Sequence, residues 1–504
     1  MCIRDSIRVV EGRGQARIVF APRLDFGRTP TRLAVHPDGL SMVGTDPAFV
    51  LRSAGVEWEL TDDGIHDTAI GMVDLDAGPV VLEMRCGTSS LLPSPLAEPV
   101  RRRRTIAFWA DWAATLVVPA DMPPSHTAHV RRSALTIKAL CHGPTGAILA
   151  APTTSLPERL GGVRNWDYRY CWIRDASLSA EALVRLGSTS EAMHLIDWLL
   201  SLLDRAPTGP EDLAPLYTVD GGSLPPETVI DGLDGYAGSR PVRVGNAADH
   251  QVQLDVFGPV LELLLRLAEA GAALSRRHWQ LIQALVGAVE QRWTEADQGI
   301  WEIRSPSRHH VNSKVMCWVT VDRAIKIGDL LGFATSEWHD LRAAIHDDVT
   351  ARGWNHEVGS FTTAYDGTDL DASVLAIVRS DMLPSDDPRL AATVSAIEDS
   401  LRRGDTIYRY THDDGLTGEE GGFNLMTCWL IDAKVHVGAM DDARRLFDAY
   451  LALAGPTGLR SEEVDPDSGA ALGNHPQAYS HLGLITSALE LAQATADDRA
   501  RTST

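Results

Sequence analysis

No apolar run in this 504-residue chain reaches the ~20 residues that a membrane-spanning helix needs. Residues 1–6 lead directly into strand-like sequence, where a secretory leader would carry an apolar stretch, so a cytoplasmic location is expected. Cysteine is confined to 6 positions: Cys2, Cys86, Cys141, Cys171, Cys317 and Cys428. None forms a C-x-x-C pair, so zinc and dithiol chemistry have no support. Several lie inside apolar runs, where a reduced thiol acts as a small hydrophobe. Basic residues are outnumbered, 46 Lys plus Arg against 68 Asp plus Glu, for a net charge of −22. That disfavours nucleic acid and anionic membranes as partners. The arginine run 101–104 is the one basic cluster, and it reads as a solvated loop or strand edge. Gly12-Arg13-Gly14 lacks the third glycine of a dinucleotide loop, so no such cofactor is expected.

What is present is globular. The chain is 44% hydrophobic and 23% charged, and too long for one ordinary core, so two domains are the default. Aromatic residues make up 6% of the whole, yet four of the twelve residues 164–175 are aromatic (Trp166, Tyr168, Tyr170 and Trp172). Arg164, Asp167, Arg169, Arg174 and Asp175 alternate with them. Rings stack on the C–H faces of sugars, and Arg/Asp pairs bond vicinal hydroxyls in a planar fork. Two acidic clusters lie far downstream, Gly418-Glu419-Glu420-Gly421 and Ser461-Glu462-Glu463. A sugar cradle with two separated carboxylates is the equipment for glycoside hydrolysis.

The hydrophobic period divides the chain. Residues 16–20, 32–36, 56–60, 80–84 and 105–118 read as short strands of an antiparallel sandwich, with Arg8-Val9-Val10 as its abrupt start. Residues 1–6 show no structural logic, and the sandwich is expected to be incomplete, with an exposed edge. From about residue 125 the period becomes 3.6, with about twelve helices of two alternating kinds. Some carry a single apolar stripe, such as Leu446, Phe447, Tyr450 and Leu451. Others, such as 260–267, 315–325 and 423–431, are apolar all round and therefore buried all round. The expected fold is mainly α: an (α/α)6 barrel over 123–504, preceded by an incomplete β-sandwich domain over 1–122. Polar clusters precede each inner helix: Trp172–Asp175, 245–250 with His250, 308–310 with His309, 365–369, Glu419-Glu420 and Glu462-Glu463. Parallel inner helices would gather all six at one mouth. Pro259 is expected to kink the fourth helix.

Segments 161–175, 241–255, 313–323, 370–373, 419–432 and 461–484 resemble glycoside hydrolase family 15, the bacterial glucoamylases and their trehalase-like relatives. The resemblance implies an inverting exo-acting α-glucoside hydrolase that needs no metal or other cofactor. It implies Glu419 as general acid, Glu420 as a substrate-binding neighbour and Glu462 as general base. Arg174 and Asp175 would hold the terminal glucose, with Tyr168 near the attacking water and Trp172 as a wall. Glu463, His250 and His309 join the substrate-binding set. The turn 465–469 lacks the spacing of a calcium loop. Departures from the family pattern include Asn312, Thr427-Cys428-Trp429 and His475. A carbohydrate is the expected partner, and a glucan the first substrate, with α,α-trehalose as the alternative. An α-glucoside phosphorylase and a catalytically silent sugar-binding protein are the rivals. Both sit poorly with a chain that keeps Glu419 and Glu462 together.

Overall fold

The computed structural model describes residues 2–8, 12–205, 209, 213–365 and 367–502. Contacts divide the chain into two compact units, Met1–Asp111 and Trp112–Thr504. In the first, strands β1 (Cys2–Ile7), β2 (Gln15–Phe20), β3 (Leu33–His36), β4 (Gly39–Met42), β5 (Phe49–Arg52), β6 (Glu57–Asp62), β7 (Asp67–Asp74) and β8 (Val80–Cys86) form two sheets. Their orders are β1-β8-β5-β4-β3 and β2-β7-β6, and every pairing is antiparallel. Alternate residues of β7 are buried, the period that lets one face of a strand meet a core. Leu40, Met42 and Leu51 from one sheet pack with Trp58, Ala69 and Val73 from the other. This is a β-sandwich.

Three expectations change here. Residues 2–7, which lacked structural logic, form β1 and pair along β8. Val9 and Val10 lie outside the described residues. Residues 105–118 are not a strand: Glu98–Ala114 is a helix, α1. Ala107, Ala110, Ala113 and Ala114 with the arginine run are strong helix formers, and they outweigh the few aromatic residues among them. The run is neither loop nor sheet edge, since Arg101 pairs with Glu83 at 2.9 Å.

The second unit carries twelve helices among its described residues: α2 (Pro124–Leu140), α3 (Ile173–Arg185), α4 (Ser190–Leu203), α5 (Phe257–Glu269), α6 (Arg276–Arg292), α7 (Val311–Leu331), α8 (Trp338–Arg352), α9 (Ala376–Arg379), α10 (Pro388–Leu401), α11 (Asn424–His436), α12 (Met440–Ala452) and α13 (Ala478–Thr502). The ring α3-α5-α7-α9-α11-α13 closes on itself, each helix packing on the next and α13 on α3. The even-numbered helices lie outside it. Sequence explains the sorting. α11 buries all of 424–434, whereas α12 buries a stripe of Ala443, Leu446, Phe447, Tyr450 and Leu451. The result is an (α/α)6 barrel.

One inner helix is shorter than the pattern suggests. α9 is a single turn after a 3-10 turn at Ala372–Leu375, and Pro384 follows closely, where a continuing helix would lose a backbone donor. Pro259 produces no interior kink. α5 begins at Phe257, so Pro259 sits in the first turn, where an N–H has no intrahelical partner in any case.

Candidate active site

Five of the six loops that precede inner helices line one pocket at the mouth of the barrel. The loop before α9 (365–369) does not reach it, and Asp366 lies outside the described residues. Trp172 ends a two-residue strand, and Arg174 and Asp175 lie in the first turn of α3, so all three look into the mouth. Arg174 is held in a fork: its Nη1 donates to Gln253 Oε1 and to Asp255 Oδ2, each at 3.0 Å, and its Nε donates to the Tyr479 hydroxyl. Asp175 stands 3.6 Å from Arg174. Burial pushes its carboxyl up to about 7, opposed by Arg174 and by the Tyr479 hydroxyl. The Trp172 indole donates to Glu302 Oε1 at 2.5 Å.

Glu462 is 1% exposed and lies on the pocket wall. The Tyr168 hydroxyl donates to its Oε1 at 2.6 Å, and the Asn474 backbone N–H to its Oε2 at 3.2 Å. Burial raises the Glu462 pKa above the ordinary carboxylate value, while Arg409, the Tyr168 hydroxyl and the Asn474 N–H pull it down. Its backbone is not at an inner-helix N-terminus, as the sequence suggests. Residues Glu463–Val464 form a strand between Gly422–Phe423 and Ala471–Leu472, and α13 starts only at Ala478. This small sheet, and the Asn424 N–H donating to the Glu462 carbonyl at 3.1 Å, bring the Glu462 loop beside the start of α11. Gly473, at φ +69°, closes against the carboxylate: a Cβ there would stand 2.5 Å from Glu462 Oε2.

The other predicted residues are distributed unevenly. Glu419 is not on the pocket wall; its side chain is 72% exposed and pairs with Arg159 on the rim. Gly418 beside it adopts φ +100°. Glu420 and Glu463 lie behind the wall. Glu420 pairs with Arg409, and Glu463 accepts the Gly421 N–H at 2.6 Å. His250 is 87% exposed, 3.6 Å from Asp249, and His309 stacks on Tyr365. Neither ring lines the pocket: the loop that carries His250 contributes Asn246, Ala248 and Gln251 to its wall, and the loop that carries His309 contributes Ile300, Trp301, Glu302 and Arg304.

Three wall residues carried no strong sequence signal. Glu158 stands alone before a turn, Arg409 between two tyrosines, and Glu302 next to Trp301. Glu158 is 1% exposed, neither of its carboxylate oxygens has a hydrogen-bond partner, and burial raises its pKa well above the ordinary value. Oxygens of Glu158, Glu420 and Glu463 lie within 4.8 Å of one another, the one grouping among the described residues that could hold a metal ion. Arg409 supplies positive charge at its centre. Its Nη2 is 3.7 Å from Glu158 and 3.9 Å from Glu463, and pairs with Glu420. Arg409 also lies over Trp301 and Phe423, at 5.3 and 4.9 Å from their ring centres. At the rim, Arg243 and Arg304 both cover Trp166, at 4.8 and 5.1 Å, and both bond to Glu227. Taken together, the pocket offers a buried carboxylate for activating water, a rigid Arg/Asp fork for hydroxyls, and aromatic walls.

The profile of the glycosyl hydrolases family 15 matches residues 124–489, and that of a trehalase-like N-terminal domain matches 2–109. A trehalase of Mycolicibacterium smegmatis is 39% identical over 397 residues, 78% of this chain and 59% of that protein. A trehalase of Thermoplasma acidophilum is 35% identical over 80% of this chain and 68% of its own length. The chain thus spans 59% and 58% of the two mycobacterial trehalases it matches. A bacterial glucoamylase complexed with acarbose superimposes with a TM-score of 0.71 at 14% identity, covering 95% of this chain and 77% of that one.

Proposed function

The chain belongs to the glycosyl hydrolases family 15, and from that premise we propose that it hydrolyses α,α-trehalose with inversion at one anomeric carbon. The observation that carries the reaction type is Glu462, buried on the wall and oriented by Tyr168. It accepts a proton from a water molecule as the water oxygen bonds to the anomeric carbon. The glycosidic C–O bond breaks, and the leaving oxygen takes its proton from Glu419, which turns in from Arg159 when sugar fills the pocket. Exchange with solvent then returns a proton to Glu419 and removes one from Glu462. Arg174 and Asp175 grip the hydroxyls of the glucose being attacked.

Two things favour trehalose over a glucan, reversing the order in which the sequence ranked the two. The curated relatives named above are trehalases. At the rim, Glu227 ties Arg243 and Arg304 together across Trp166, at 2.8 and 2.9 Å. A latched rim suits a disaccharide better than a long chain that must trail out through an open cleft. The test is glucose release from trehalose, maltose, isomaltose and dextran, followed by proton NMR before mutarotation. Trehalose should be cleaved fastest, giving α- and β-glucose in equal amounts at first. Faster release from a glucan would refute the substrate, and α-glucose alone would refute inversion.

A further inference from the structure

A second cavity runs down the barrel axis beneath the mouth. Its volume is about 270 Å³, against the roughly 10–15 Å³ that a single water needs by the same measure. Inward-facing residues at helical spacing line it: Arg174, Leu178, Glu181 and Arg185 on α3, and Asn312, Met316, Val319 and Arg323 on α7. Eleven helical rises from the first to the last of these residues make it ~17 Å deep. Arg174 and Ile300 belong to both cavities and form the partition between them. At the other end the side chains of Arg266, Glu490 and Asp381 are 40%, 41% and 61% exposed, so this cavity opens on the face of the barrel away from the mouth.

Its chemistry selects against ions. Every guanidinium on the wall already faces a carboxylate. Arg185 pairs with Glu490 at 2.8 Å, Arg266 with Glu262 at 2.8 Å, Arg323 with Glu262 at 2.6 Å, Arg379 with Asp432 at 3.2 Å, and Arg174 with Asp255 at 3.0 Å. An added anion or cation would meet its own sign as closely as the opposite one. What is left without a hydrogen-bond partner is one whole neutral amide, besides single atoms of groups already in ion pairs, among them Asp432 Oδ2 and Arg266 Nε. Asn312 is 2% exposed, and neither its amide oxygen nor its amide nitrogen has a partner in the protein. Asp255, 0% exposed, has an unpaired Oδ1 on the same wall. Donor and acceptor capacity side by side is what a hydroxyl satisfies, since it both gives and takes a hydrogen bond. Midway, Leu178, Met316, Val319 and Trp429 provide apolar surface for C–H groups.

We propose that this axial chamber is a second binding site, which takes a small neutral polyol of monosaccharide size entering from the far face of the barrel. Asn312 is its recognition group, and Met316 lies against the ligand. The site is separate from the mouth, and the proposal stands whichever α-glucoside the mouth accepts.

Met316 provides a local reporter. The full chain, labelled with ¹³C-methyl methionine, contains 10 methionines, and the Met316 resonance is assigned by its loss in Met316→Leu. Titration with D-glucose and with myo-inositol should move that resonance saturably. A response to both marks a general polyol chamber and a response to glucose alone a product site; either supports the proposal. Asn312→Leu should weaken the apparent affinity about tenfold, the effect of one lost net hydrogen-bonding group. Val319→Phe, which fills the chamber from another turn of α7, should do the same and serves if Asn312→Leu does not fold. A Met316 methyl unmoved by either polyol, shifts confined to other methionines, a response to inorganic phosphate alone, or full binding in both folded variants would each overturn the proposal.

Discussion

Replacing Tyr168 by Phe removes one atom from a buried pair and should move the acid limb of the pH profile. The Tyr168 hydroxyl donates to Glu462 at 2.6 Å, and burial holds the phenol pKa well above its ordinary value of 10.0, so it remains a donor across the working range. A hydrogen bond to a charged group is worth ~1.5–3 kcal/mol. At ~1.4 kcal/mol per pH unit, its loss should raise the Glu462 pKa by ~1–2 units. The sign follows from which form the bond favours. Tyr168 stabilises the carboxylate, so without it Glu462 stays protonated to higher pH, and a protonated base cannot activate water. The assay is kcat/KM for trehalose against pH, which reports ionisations of the free enzyme. The acid limb of Tyr168→Phe should lie ~1–2 units to the alkaline side, with activity partly recovered above it. A limb that stays in place, or moves to lower pH, would mean that Glu462 is not the titrating base or that Tyr168 does not control it.

Three further outcomes follow from the same geometry. Glu462→Gln and Glu419→Gln should each lower kcat by ~10²–10⁴ with the melting temperature little changed, and near-normal turnover in either would remove that residue from the mechanism. Gly473→Ala should lower kcat at least ~10-fold, because its Cβ would press on Glu462 Oε2 and shift the base from its attacking geometry; unchanged kcat would show that the carboxylate is not held by this contact. Glu158→Gln should gain stability relative to the native chain as pH rises above the ordinary carboxylate value of 4.5. Burial raises the Glu158 pKa well above 4.5, so the folded chain keeps a proton that the unfolded chain releases, and that stabilisation is lost as pH climbs, whereas Gln does not titrate. Melting curves that run parallel across this range would place the Glu158 proton elsewhere.

The barrel was legible because burial leaves a mark on sequence. Helices such as α7 and α11, surrounded by other helices, are apolar all round, and their alternation with striped helices reveals the ring. The Arg174/Asp175 fork was legible too, since its residues are adjacent and dense in rings. Residues 105–118 misled because a few aromatic residues among alanines and arginines do not make a strand; none of α1 is buried, so no packing imposes a period on it. Glu158 and Arg409 were invisible for another reason. They are 251 positions apart by number and meet at 3.7 Å only in the folded chain, and each alone resembles an ordinary loop charge. His250 and His309 show the converse: a polar residue in the right loop still faces solvent, or a neighbouring ring, if its peptide turns that way.

The two proposed catalytic carboxylates are anchored very differently, and on the proposed mechanism this would give the reaction an order in time. Glu462 is locked into a small sheet and bonded through both oxygens, whereas Glu419 sits on a rim loop, paired with an arginine that is itself 56% exposed. An ion pair so exposed is worth at most ~1 kcal/mol, so thermal motion breaks and remakes it freely. On the proposed roles, the base stands ready while the acid has to leave Arg159, and it stays in the pocket only when a bound sugar gives it an oxygen to protonate. On those roles, an unliganded molecule lacks a complete catalytic pair whenever Glu419 stays with Arg159.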